Sequence, residues 1–293
     1  MKHALVAAAV LAVFLGIAGG ASEQTAASAS RTSAVAKVPR FKRAVVVVFE
    51  NQRRSAIAGS AAAPTFNAYA RRYALLKNYQ AVTHPSLPNY LALVSGSTQG
   101  ITDDCTDCTV DAPNLADSLE AARLSWKTYA EDLPYPRFTD ARAKLYAKWH
   151  NPLVYFKSVY SKPSRLRRIV PYEQFAADLR ARRLPTFSLV VPNLCNDIHD
   201  CPVQTGDSWL ARFLRPLVRS PQLHGGVVFV VFDEGTDTDN RIFAFAVGNV
   251  VRPHAVYTRP ITHYGLLATL EASWHLRRLV RSATARPITG IWR

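Results

Sequence analysis

The chain of 293 residues is 48% hydrophobic and carries 36 Lys and Arg against 21 Asp and Glu, a formal net charge of +15. This composition supplies a sizeable apolar core and leaves room for one domain of about 250 residues once a leader is removed. The arginine-rich clusters at 40–43, 165–168, 180–183 and 277–281 read first as a basic surface. They lack the interleaved aromatics of a single-strand nucleic-acid binder, so no specific nucleic-acid partner is expected.

At the amino end, Met1-Lys2-His3 precedes an apolar run from Ala4 to Ala18 and the small residues Gly19-Gly20-Ala21. This is the pattern of a signal peptide spanning 1–21, with a secreted or cell-envelope destination. The run is marginal for a membrane span and no basic stop-transfer flank follows. Residues 22–40 begin with an Ala-, Ser- and Thr-rich stretch and read as a flexible leader. The remainder, 41–293, reads as a single domain.

Val45-Val46-Val47-Val48-Phe49 is an uninterrupted apolar, β-branched run, the pattern of a strand buried on both faces; it ends in Glu50-Asn51. Pro88 suits the first turn of a helix through Leu91 to Val94, which places Ser86 just before a helix N-terminus. Asn114 to Arg123 reads as a helix capped by Asn114, and Trp126 to Glu131 as a strand. The stretch 134–171 is rich in Tyr, Pro, Lys and Arg and reads as an excursion over the sheet edge, a candidate lid. Tyr172 to Arg182 is an amphipathic helix. Ser188 to Pro192 is a second apolar strand, ending in Asn193 and leading into Asp197, His199 and Asp200. Asp207 to Val218 reads as a helix capped by Asp207. Val227 to Phe232 is a third apolar strand and runs into Asp233-Glu234-Gly235. Ile242 to Val247 is a further strand, and Thr262 caps a helix to about Trp274. Strands alternating with helices predict an α/β fold with a mainly parallel central sheet and helices on both faces.

Carboxylates are costly to bury in mid-strand, whereas the carboxyl ends of strands in open α/β sheets are where ligand sites form. Three apolar strands that end in Glu50-Asn51, the Asp197–Asp200 group and Asp233-Glu234 therefore predict one polar site on one sheet edge. Ser86 by itself reads as an ordinary cap residue. A cation held by Glu50, Asn51, Asp233 and Glu234 would instead lower the pKa of its hydroxyl and make it a nucleophile, with Thr83 as the second choice. The four cysteines form two close pairs, 105/108 and 195/201. Export favours two local disulfides over structural zinc, and the crossed pairings stay open.

Taken together, the segments Val48-Phe49-Glu50-Asn51, His84 to Gly96, Trp126 to Glu131, His150-Asn151-Pro152, Pro192 to Cys201, Gly206 to Leu210 and Phe232 to Gly235 resemble, in order, the secreted phosphoesterases. That family contains acid phosphatases and phosphatidylcholine-type phospholipases C and is alkaline-phosphatase-like in fold. The resemblance implies hydrolysis of a small phosphate ester through a phosphorylated Ser86. Glu50, Asn51, Asp233 and Glu234 match metal positions for one divalent ion, with Ca²⁺, Mg²⁺, Mn²⁺, Zn²⁺ and iron all open. His199 matches a histidine that contacts phosphate or protonates the leaving group. Asn89, Asp197, Asp200, His263 and His84 are expected around the substrate or behind the ligands. His150 reads as structural first, and His224, His254 and His275 as surface or loop residues. The chain is similar to the compact acid-phosphatase branch, with no obvious counterpart in this sequence of the carboxyl-terminal domain expected of larger phospholipases C. Phospholipase C activity on phospholipid headgroups is the runner-up, and a non-catalytic phosphate- or polyanion-binding protein is the reading from another class. No obligate protein partner is expected.

Overall fold

The computed structural model describes residues 37–293. The expected signal peptide and all but the last four residues of the expected leader lie outside the described residues. In chain order the elements are β1 (Ala44–Phe49), α1 (Arg54–Ile57), α2 (Pro64–Arg72), β2 (Ala74–Leu76), α3 (Ser86–Ser95), α4 (Leu115–Ala121), β3 (Trp126–Ala130), the two-residue strands β4 (Arg142–Ala143) and β5 (Tyr146–Ala147), α5 (Lys157–Tyr160), α6 (Pro163–Leu166), β6 (Ile169–Pro171), α7 (Glu173–Arg180), β7 (Phe187–Val191), α8 (Val203–Arg219), β8 (Val227–Phe232), β9 (Phe245–Val247), β10 (Ala255–Tyr257) and α9 (His263–Trp274).

The main sheet has the order β10-β2-β9-β8-β1-β7-β3-β6. Every neighbouring pair is parallel except the two made by β9, which runs against both β8 and β2. The centre consists of the three strands whose sequences are apolar throughout, and every residue of β1, β7 and β8 is buried. An all-apolar strand requires cover on both faces, and the side-chain alternation shows which helices supply it. Phe49 packs against Phe66 of α2 and Trp209 of α8, with ring centroids 4.9 and 5.8 Å away. Phe187 is in register with Ala44 and so shares its face; it meets Trp274 of α9 at 6.4 Å. Glu50 continues the Ala44/Val46/Val48 alternation and is thereby aimed at the α9 face, where α3 also packs.

Several boundaries differ from the sequence expectation for identifiable reasons. The helix expected from Asp207 begins at Val203, and Asp207 lies inside it. Its carboxylate accepts from the backbone N–H groups of Thr65 and Phe66, at 2.8 and 3.0 Å, and so caps α2, a different helix. Thr262 does occupy the N-cap position of α9, but its side chain makes no capping hydrogen bond. Asn114 caps α4 as expected, accepting from Ala116 and Asp117 N–H groups. The 134–171 segment divides in two. Residues 149–156 are buried, with α3 beside them, and β6 extends the sheet, so this half is part of the core. Residues 134–147 form an exposed turn and the small β4-β5 hairpin.

Helix α3 is buried along its whole length and ends at Gly96, whose φ is +74°. A Cβ at Gly96 would stand 2.2 Å from the Leu279 carbonyl oxygen. Positive φ and a backbone clash act together here. Gly96→Ala is expected to cost about 2–4 kcal/mol of stability. Thermal or urea unfolding measures this, and a midpoint equal to that of the unaltered protein would contradict it.

Candidate active site

The carboxyl ends of β1, β7 and β8 lie side by side, and the backbone carries the same alignment into the loops beyond them. Asp233 N–H donates to the Phe49 carbonyl and Glu50 N–H to the Asp197 carbonyl, both at 2.8 Å. Because Phe49 is in register with Phe232, Glu50 and Asp233 leave the sheet as neighbours. From the facing layer α3 brings Ser86 and Tyr90, which share one helix face through their i, i+4 spacing. The Ser86 hydroxyl donates to Glu50 Oε2 at 3.0 Å, and the Tyr90 hydroxyl makes a short hydrogen bond to Oε1. His150 lies between two carboxylates, with Nε2 3.3 Å from Glu50 Oε2 and Nδ1 3.2 Å from Asp197 Oδ2. Asp233 Oδ1 accepts from Asn51 N–H at 3.0 Å, and the Asp233 carboxylate also reaches Glu50 and Ser86.

This cluster is buried and strongly acidic. Burial raises the Glu50 carboxyl well above its usual range, and repulsion from Asp233 and Asp197 adds to the effect. Burial raises Asp197 and Asp233 in the same sense, and it pushes His150 down to about 3, which leaves the ring neutral. Asp233 Oδ2, Asp197 Oδ2, His150 Nε2 and Asn151 Oδ1 are buried without a hydrogen-bond partner. The His150 contacts fall within ion-pair distance, but they are too poorly aligned to count as hydrogen bonds. One ligand atom each from Glu50, His150 and Asp197 lies within 4.8 Å of the others. Two carboxylates and a neutral imidazole form a donor set that fits a divalent cation, and a cation satisfies both the orphaned atoms and the uncompensated negative charge.

The other expected residues fall into two groups. Glu234 is linked to Asn89 Nδ2 at 3.1 Å and His84 Nδ1 at 3.2 Å. Burial, with Asp233 and Asp104 nearby, raises Glu234 to about 9. Asn89 also fastens the turn before the serine, accepting from Val82 and Thr83 N–H groups. His199 stands at the mouth of the cluster. Its Nδ1 is 2.6 Å from Asp200 Oδ1, its backbone N–H donates to Asp197 Oδ1, and its ring centroid is 5.7 Å from that of His150. His263 is different: it is buried between the Tyr79 hydroxyl and the Asp233 carbonyl and does not face the cleft, and burial lowers its pKa to about 4. Thr83, the second-choice nucleophile, turns its hydroxyl to the His84 carbonyl. Both disulfides form as expected, Cys105–Cys108 and Cys195–Cys201, and no cysteine among the described residues is free. The second closes the loop that carries Asp197, His199 and Asp200.

Sequence reasoning missed three participants. His150 was read as structural, but its ring is central to the acidic cluster. Tyr90 was legible from its spacing to Ser86. Asp104, three residues before the aspartate of the Cys105-Thr106-Asp107-Cys108 loop, accepts from Leu87 N–H at 2.8 Å. That donor at the start of α3 is therefore not open to a substrate anion, which narrows the helix-terminus contribution expected from the sequence.

Comparison with known proteins agrees with this geometry. Residues 52–277 match the phosphoesterase family. The chain belongs to the phosphoesterase family and is a hydrolase of phosphoric esters. It is 37% identical over 263 residues to a phosphatidylinositol-3-phosphatase of Mycobacterium tuberculosis, a match covering 88% of this chain and 85% of that one. It is also 37% identical over 220 residues to the phosphate-repressible acid phosphatase of Penicillium chrysogenum, covering 71% of this chain and 53% of the fungal protein, so it spans about half that relative's length. Among solved structures, a Vibrio parahaemolyticus protein of the alkaline phosphatase superfamily superposes with a TM-score of 0.61 at 12% identity, covering 87% of this chain and 72% of the other. The lipoteichoic acid synthase LtaP of Listeria monocytogenes gives 0.59 at 11% identity, covering 83% and 74%. At such identities these two show a shared fold.

The raised carboxyl groups fix the sign of a pH dependence. Glu234 titrates near 9 in the folded chain against a usual 4.5, so the folded state holds the proton more tightly than the unfolded one. Stability from this group is full below about 4.5 and is lost as pH rises through about 9. Chelator-treated protein is therefore expected to melt at progressively lower temperature as pH rises across that window, and an added divalent cation should reverse the loss. Melting curves with and without cation check this, and a cation-free melting temperature that rises with pH would contradict it.

Proposed function

We propose that this enzyme hydrolyses phosphate monoesters through a phosphorylated Ser86, in a site that binds a divalent cation, and that it acts after export from the cell. The observation that carries the reading is the Ser86 hydroxyl, hydrogen-bonded to a buried Glu50 in a nest of unpartnered carboxylate oxygens. Glu50, Asn51, Asp233 and Glu234 are the proposed metal residues, with His150 and Asp197 added by the donor cluster. A bound divalent cation would supply positive charge to the phosphoryl oxygens and to the nucleophile.

The chain's own groups account for the proton movements. Ser86 Oγ forms a bond to phosphorus as its proton passes along the hydrogen bond to Glu50 Oε2. The ester P–O bond breaks, and the leaving oxygen takes a proton from His199 Nε2. Asp200 holds the opposite ring nitrogen, fixing the tautomer and orientation of His199. Water then attacks the phosphoserine and gives a proton to His199 as the bond from phosphorus to Ser86 Oγ breaks, while Glu50 returns its proton to that oxygen, so that inorganic phosphate leaves and all three side chains are restored. Asn89 and Asn240 keep the nucleophile turn in place, since the amides of both donate to the Thr83 carbonyl. The substrate class extends to phosphorylated lipid headgroups, whose added phosphate is a monoester, in line with the name of the mycobacterial relative. Export is supported by the 1–21 sequence pattern and by two disulfides, which persist in oxidising compartments. Residues 41–293 are proposed as one catalytic domain.

Ser86→Ala is expected to lower kcat on the order of a thousandfold while leaving the fold intact. Acid-quenched wild-type protein turning over a ³²P-labelled monoester should carry label on Ser86. Turnover without label, or an active Ser86→Ala, would eliminate the covalent route. His199→Ala should cost about a hundredfold on an alkyl phosphate and far less on 4-nitrophenyl phosphate, whose leaving group needs no proton. Equal losses on the two esters would remove the general-acid role.

A further inference from the structure

Residues 134–147 border the active-site mouth and carry an unusual surface. Of the four large hydrophobic side chains exposed among the described residues, two are here: Tyr135 at 58% and Leu145 at 39%. They stand on an ordered aromatic base, because Tyr135 packs on Phe138 at 5.6 Å and Phe138 on buried Tyr146 at 5.7 Å. Arg137, Arg142 and Lys144 are exposed on the same segment, and Asp140 is its one carboxylate. The segment is tied to the site at three points. Leu194 N–H, in the loop that carries His199, donates to the Leu145 carbonyl at 3.0 Å. Asn151, next to His150, donates to the Tyr146 hydroxyl at 3.1 Å. The Arg142 guanidinium lies 4.5 Å over the Trp149 ring, and its charge is felt at His150.

We propose that residues 134–147 dock the enzyme onto an anionic lipid bilayer, with the catalytic cleft opening toward the headgroups. Exposed apolar tips flanked by basic side chains match a membrane interface, where the tips enter the acyl boundary and the cations remain at the headgroup level. The purpose of this surface rests on the monoesterase reading, but the docking itself does not. A net charge of +15 alone would draw the protein to anionic lipid, so the claim is that the attraction is localised here.

The probe is co-sedimentation with phosphatidylcholine vesicles, with and without phosphatidylserine. Wild type should sediment with the mixed vesicles and remain in solution with pure phosphatidylcholine. Arg137→Glu with Lys144→Glu should weaken binding at least about thirtyfold, roughly fivefold for each cation removed. Arg215→Glu with Arg219→Glu, the same charge change at the far end of α8, should retain most of it. Tyr135→Ser with Leu145→Ser should also weaken binding, and all of these variants should hydrolyse soluble 4-nitrophenyl phosphate as wild type does. Ser86→Ala should bind vesicles normally, so failure of the catalytic reading and failure of this one are distinguishable. The proposal is overturned if wild type ignores the mixed vesicles, if the α8 pair loses as much binding as the 137/144 pair, or if the Tyr135/Leu145 pair loses none.

Discussion

Glu50 is a carboxylate removed from water at the point where the central strand, the loop after β7 and helix α3 meet. Its backbone leaves the central strand bonded to the Asp197 loop, and its side-chain oxygens receive one hydroxyl from Ser86 and another from Tyr90, both on α3. Beyond them stand His150, Asp197 and Asp233. An isolated buried carboxylate is prohibitively costly unless it is paired, protonated or bound to a cation. Burial raises all three acids, and no Lys or Arg side chain among the described residues is paired with any of them. The protein thus maintains a local excess of negative charge that only protons or a cation can neutralise, and the Ser86 hydroxyl is hydrogen-bonded directly to it.

The loop after β7 is held with comparable care. Glu131, at the end of β3, accepts from Asn193 N–H, from Asn196 Nδ2 and from Trp209 Nε1, and Asp132 accepts from Asn193 Nδ2. The disulfide closes the same loop. Asp197 is therefore fixed from the strand side and from α8, while His199, one turn further, remains at the surface with Asp200. Rigid support beneath a more exposed histidine is the division expected of a site that must keep its geometry and still admit a ligand.

The parts of this architecture that could be read from the sequence are those governed by local rules. Three all-apolar strands ending in acids announced both the buried sheet centre and the site at its edge, because alternating polarity would have been required of any exposed face. Asn114 announced its helix because its side chain caps its own N-terminus. The strands β2, β6 and β10, three residues each, carried too little pattern to stand out, and the reversal of β9 follows from how the chain returns across the sheet, which no local signal records. Asp207 was misassigned for the same reason. A cap residue was recognised, but the helix it caps begins more than 140 residues before it. His150 lies in one of the family-like segments, but its contacts to Glu50 and Asp197, far away in sequence, left no local sign, and nothing in the pattern tied Asp104 to the start of α3.

The pairing of β1 also bears on how the polypeptide is made. Ala44 lies between Phe187 and Val227, so the first strand of the sheet to leave the ribosome has neither neighbour until most of the chain has followed it. The Val45–Val48 run must wait without a hydrogen-bonded edge, a high-contact-order arrangement that folds slowly. The proposed export would carry the chain across a membrane before it folds, and there such a delay would be useful. The nascent polypeptide cannot close its own core early, so it stays threadable until the strands that flank β1 arrive.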